Sequence, residues 1–132
     1  MNLELYLEQM KELVNIDSGS ENVAGINRVA DKLAGWYQEI GWNVERIPVD
    51  GGRQVLLITN HVSEHYDAMY IGHMDTVFPD GTAEKRPFRI RKGNFVSIRA
   101  DKCYNIILRS CGPKSDAGLP GGMLLTLGPQ KI

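Results

Sequence analysis

Near residue 41 the apolar residues of this chain change their period, and that change restricts it to helices followed by sheet. Before it, Leu3, Tyr6, Met10, Leu13 and Val14 recur at three- and four-residue spacing, with Glu4, Glu8, Lys11 and Glu12 between them. Such a stripe covers one face of a helix, so residues 2–16 are expected to form an amphipathic helix. Val23, Ile26, Val29, Ala30, Leu33, Tyr37 and Ile40 repeat the pattern and predict a second helix from about Asn22 to Ile40. Gly41 stands where a left-handed cap closes a helix. Between the two, Asp17-Ser18-Gly19-Ser20 breaks the stripe and offers caps for the second helix. From Trp42 onward the pattern is that of strands. Trp42–Val49 reads as one at a sheet edge, because Pro48 cannot donate to a ladder. Asp50-Gly51-Gly52 is a turn, and Val55-Leu56-Leu57-Ile58 is a continuous apolar run of the kind buried on both faces. After a polar loop, Asn60–His65, in which His61 and His65 are expected to be solvated, Tyr66–Ile71 is the next strand. The expected class is α/β: two helices, then a mixed sheet.

The later part is less regular. Phe88-Arg89-Ile90 and Phe95-Val96-Ser97-Ile98 flank Arg91-Lys92-Gly93-Asn94 and read as a hairpin. Beyond Ile98 the periodicity degrades. Met123–Leu127 is expected to start a helix that Gly128-Pro129 stops at once. The organisation read from this is an ordered part, residues 1–98, and a poorly ordered remainder, 99–132. With 132 residues the chain is one small domain at most. A net charge of −1 gives no field that would favour nucleic acid or an acidic membrane. No apolar run approaches a membrane span, and the start lacks the basic character of a signal peptide, so a cytoplasmic location is expected. Cys103 and Cys111 make no disulfide framework and read as free thiols.

The chemistry-bearing stretch is Gly72-His73-Met74-Asp75-Thr76-Val77-Phe78, which comes after the apolar run Ala68–Ile71. If strand geometry persists, His73 and Asp75 leave the same face of the sheet. A carboxylate beside an imidazole accepts its second N–H and fixes its tautomer, which a metal-ligating histidine needs. By itself His-x-Asp is common, and a polar strand end entering a loop is the plainer reading. Ligands of such sheets gather outside the strand ends, where His73 falls.

With that motif placed after two helices, the chain resembles the zinc-dependent metallohydrolases that include glutamate carboxypeptidase, aminoacylase, acetylornithine deacetylase and succinyl-diaminopimelate desuccinylase. Leu13–Ser20 is similar to the family's start, and Gly25-Ile26 through Glu45 to its second helix and following strand. Tyr70–Pro79 is similar to its first metal motif, and Arg86-Pro87-Phe88 to the segment after it. The resemblance covers residues 3–92 and points in detail to the glutamate carboxypeptidase branch. It implies the N-terminal part of a zinc-exopeptidase-like catalytic domain, incomplete. It also implies His73 as a zinc ligand, Asp75 as the catalytic acid that orients it, and a peptide or N-acyl amino acid as substrate.

The family next places a Gly-Pro-Gly-rich loop with an aspartate that bridges two metals. The nearest stretch here is Cys111–Leu119, which makes Asp116 the candidate for that ligand and Asp101 a second candidate. Two zinc ions would hold and activate a water that attacks an amide carbonyl, with a glutamate as general base. The chain has no histidine after His73 and no glutamate after Glu84, so the family's later Glu-Glu pair and second histidine have no counterpart. Two ligands do not complete a catalytic site. The expectation is therefore a truncated metallopeptidase or amidohydrolase, inactive alone. The alternative is a frame-disrupted product without activity, or a self-associating module.

Overall fold

The computed structural model describes residues 3–91, 94–96 and 123–128. Its elements are α1 (Leu3–Val14), α2 (Val23–Glu39), β1 (Asn43–Val49), β2 (Arg53–Thr59), β3 (Ala68–His73), α3 (Thr82–Lys85), β4 (Arg89–Arg91), β5 (Asn94–Val96) and β6 (Met123–Gly128). The class is α/β, as the change of period implies.

Both long helices form where the apolar stripes run. Asn22 caps α2, its side-chain oxygen accepting from the Gly25 amide at 2.8 Å. At the other end the Gly41 amide donates to the Gln38 carbonyl and the Trp42 amide to the Tyr37 carbonyl, with Gly41 at φ 82°. That pair of bonds and the left-handed residue make a Schellman cap. Its usual apolar contact is present too, with the Tyr37 and Trp42 rings 5.4 Å apart.

The main sheet has the order β1-β2-β6-β3. β1 lies at an edge, where Pro48 is tolerated, and is antiparallel to β2. β6 pairs antiparallel to β2 and parallel to β3, so the sheet is mixed. The segment Met123–Leu127 is thus not the start of a helix. A few residues closed by Gly128-Pro129 are too short to sustain a helix, whereas a strand there satisfies the backbone groups of both neighbours. β4 and β5 form the expected hairpin as a separate pair. The division expected at residue 98, with Cys103 and Cys111, lies outside the described residues.

One face of this sheet carries the core. Leu56 and Ile58 of β2 are fully buried beneath Ile26, Val29, Ala30, Leu33, Ala34 and Tyr37 of α2, with Leu13 of α1 and Met74 in the same cluster. Met10 and Val14 of α1 pack with Tyr6 and Phe88 in a smaller one. The register sets Val44 opposite Ile58, and Val44 and Tyr70 pack against the larger cluster. The alternate residues are open. Val55 and Leu57 are only half-buried, while Met69 and Ile71 are exposed. The apolar run of β2 is therefore buried on one face, not two. Among the described residues α2 supplies most of the side chains of this core and α1 adds Leu13.

The two faces give a direct comparison of like with like. Ile58→Ala should cost about 2–5 kcal/mol in chemical denaturation, because it empties a packed site. Ile71→Ala, at a residue 74% exposed, should change stability by no more than about 0.5 kcal/mol. Equal losses at the two positions would contradict this assignment of the core.

Candidate functional site

β3 ends at His73, and the chain then turns through Met74 and Asp75 rather than continuing as strand. Met74 drops its side chain into the core and anchors the turn. The imidazole and the carboxylate still meet. His73 Nδ1 lies 2.9 Å from the Asp75 carbonyl oxygen and 3.3 Å from Asp75 Oδ1. A ring that donates from Nδ1 to these oxygens leaves Nε2 with its lone pair outward. The sequence expectation gave the orienting task to the carboxylate alone. In the structure the backbone carbonyl of the same residue is the nearer acceptor.

Asp75 is almost wholly buried, 1% exposed. A buried carboxylate needs donors on its oxygens. One comes from a distant part of the chain: the Ser20 hydroxyl donates to Asp75 Oδ2 at 2.7 Å. This contact arises from the way residues 17–20 lie against the turn after β3. The Thr76 amide donates to the Ser18 carbonyl at 2.8 Å, and the Ser20 amide to the Thr76 carbonyl at 3.0 Å, a parallel bridge around Gly19. A Cβ on Gly19 would sit 2.6 Å from the Phe78 carbonyl oxygen, so only glycine allows this approach. The Arg53 guanidinium also holds this segment, Nη2 donating to the Ser20 carbonyl at 2.8 Å.

Asp17 extends the connection. Its carboxylate accepts from the Gly81 amide at 2.8 Å and the Ala83 amide at 2.9 Å, across the start of α3. Asn22 donates to the Asp80 carboxylate at 2.7 Å and to the Asp17 carbonyl at 3.3 Å. Reading Asp17–Ser20 as caps for the following helix was therefore incomplete. Asn22 caps α2, while Asp17 serves a turn more than sixty residues away and Ser20 serves Asp75. The dense cluster of short polar residues around one glycine was the only sequence sign, and it did not name their partners.

Asp116 and Asp101 lie outside the described residues. Among the described residues no group of three or more His, Cys, Asp or Glu converges to hold a metal ion. The residues described fit one ligating imidazole and its orienting acid; they do not fit a complete two-metal centre. His61 and His65 are exposed on their loop, as expected. Among the described residues no helix is long and apolar enough to cross a membrane.

No family model matches the chain. It is 29% identical over 99 residues to an acetylornithine deacetylase of Vibrio atlanticus, covering 71% of this chain and 26% of that protein. It is 30% identical over 96 residues to an acetylornithine deacetylase of Pectobacterium atrosepticum, covering 68% of this chain and 25% of that protein. The chain thus spans about a quarter of the length of these curated relatives. Among solved structures, human carnosine dipeptidase 1 superposes with a TM-score of 0.69 at 15% identity, over 95% of this chain and 32% of that one. Aminopeptidase PepT from Bacillus cereus gives 0.65 at 22% identity, over 96% of this chain and 36% of that one. These two likenesses are of fold.

Replacing Asp17 by alanine removes the acceptor of two amides at once. Asp17→Ala should cost about 1–2 kcal/mol, the usual loss for a capping side chain. Hydrogen exchange at the Gly81 and Ala83 amides should accelerate while α2 amides keep their relative protection. Unchanged exchange at both amides would contradict the assignment.

Proposed function

We propose that the chain belongs to the metallopeptidase and amidohydrolase family that includes acetylornithine deacetylase, and that it carries one ligand arm of an amide-hydrolysing metal centre. His73 is the ligand, through Nε2, and Asp75 orients it. The observation that carries this reading is the His73 ring held at Nδ1 by Asp75 at a strand end. No partner of Nε2 occurs among the described residues. Neutral imidazole with its far nitrogen engaged is the form in which histidine ligates. Zinc is the metal proposed, two ions in the complete centre, with Asp116 or Asp101 as the bridging carboxylate.

The reaction class is hydrolysis of an amide bond in a small peptide or an N-acyl amino acid, in a carboxypeptidase-like mode. The name of the curated relatives, acetylornithine deacetylase, supports the class. This chain's own part is to supply and orient one nitrogen. The absence of any histidine after His73 and of any glutamate after Glu84 leaves no general base of the family's type, so the chain by itself is proposed to be inactive.

Zinc titrated into the protein and followed at the histidine ring resonances tests this reading. His73 is expected to respond first. His73→Ala should remove the tightest binding, whereas His61→Ala with His65→Ala should leave it. A response at His61 and His65 with His73 unmoved would overturn the proposal. Zinc-loaded chain should hydrolyse an N-acyl amino acid no faster than zinc alone, and metal-dependent turnover would contradict the proposed inactivity.

A second reading, self-association through the open sheet face, is favoured by the exposure of Met69 (57%) and Ile71 (74%) on β3. Light scattering should then show assemblies larger than one chain, reduced in Ile71→Glu. A clean monomer at high concentration would contradict it.

A further inference from the structure

We infer that Ser20 is a positioning residue for His73: its hydroxyl locks the Asp75 carboxylate in the rotamer that keeps the imidazole proton on Nδ1. The inference rests on reading His73 as a ligand, but its geometry is independent of any metal. Asp75 has two oxygens with different tasks. Oδ1 faces His73 Nδ1 at 3.3 Å, and Oδ2 accepts from Ser20 Oγ at 2.7 Å. Rotation of the carboxylate that carried Oδ1 away from the ring would have to break the bond at Oδ2. That bond is short and has a charged acceptor, and such bonds are about twice as strong as neutral ones. Burial of Asp75 adds to the cost of breaking it.

Ser20 is itself fixed, which separates a positioning residue from a chance contact. Its amide donates to the Thr76 carbonyl and its carbonyl accepts from Arg53. Its side chain therefore starts from a backbone held on both sides. The hydroxyl has one proton and two acceptors in reach, Asp75 Oδ2 at 2.7 Å and the Thr76 carbonyl at 3.4 Å. The shorter, charged acceptor takes it. The competing possibility is that the Asp75 carbonyl, 2.9 Å from Nδ1, holds the ring by itself. In that case Ser20 would matter only to packing.

The experiment is nitrogen-15 NMR of the His73 ring in the metal-free chain at alkaline pH, where the two neutral tautomers have distinct ring shifts. Wild type should show mainly the Nδ1–H form. Ser20→Ala should raise the Nε2–H fraction several-fold, and Ser20→Thr, which keeps the hydroxyl, should restore the wild-type ratio. Zinc affinity at His73, measured with zinc itself, should fall by about tenfold in Ser20→Ala, the low end of losses seen when a ligand's orienting partner is removed. An unchanged tautomer ratio in Ser20→Ala, or a Ser20→Thr that behaves like alanine, would overturn the inference. Should Ser20→Ala fail to fold, Ser20→Cys, a weaker donor in the same place, is read by the same criterion. If wild-type His73 takes no zinc but its tautomer still depends on Ser20, the ligand reading fails and the positioning inference stands.

Discussion

The docking of residues 18–20 against the turn after β3 is the contact on which the rest of the site depends. Two backbone bonds around Gly19, one each way with Thr76, join the link between the two helices to the end of a strand. Without that bridge Ser20 would not reach Asp75, and Asp17 would not reach the start of α3. The bridge needs a residue without a side chain, because the Phe78 carbonyl occupies the space a Cβ would take. The helical layer thus does more than cover the sheet. Its loop supplies the donor and acceptor groups that shape the turn carrying His73 and Asp75.

Much of this was legible locally. The two apolar stripes became α1 and α2 because amphipathic spacing decides which face can be buried, and Gly41 ended α2 in the left-handed conformation that it tolerates. Pro48 placed β1 at an edge for lack of an N–H. His73 stands at a strand end as read. What was not legible depends on distant partners. Met123–Leu127 has no period of its own, and its strand character comes from the open edges of β2 and β3. Ser20 and Asp17 look like ordinary capping residues until the chain returns 55 and 64 positions later. The resemblance drew attention to Leu13–Ser20 as a block but gave no task to Ser20.

The sheet also shows why the chain divides into a well-determined and an open side. Leu56 and Ile58 are sealed under α2, and complete burial of such side chains is worth about 1.5–3 kcal/mol each. Met69 and Ile71, on the alternate positions of β3, gain no such cover among the described residues. The same strand that presents His73 thus has apolar side chains facing outward. His73 at the strand end and the open sheet face are thus two aspects of one strand among the described residues.

The central claim is that His73 presents Nε2 as a metal ligand with Nδ1 held by Asp75. The most direct measurement is anomalous diffraction from crystals of the chain grown with zinc. A zinc peak is predicted about 2.0–2.1 Å from His73 Nε2, the normal zinc–imidazole distance, with the Asp75 carboxylate still beside Nδ1. A peak on Nδ1, or zinc found at His61 or His65 while His73 stays bare, would contradict it.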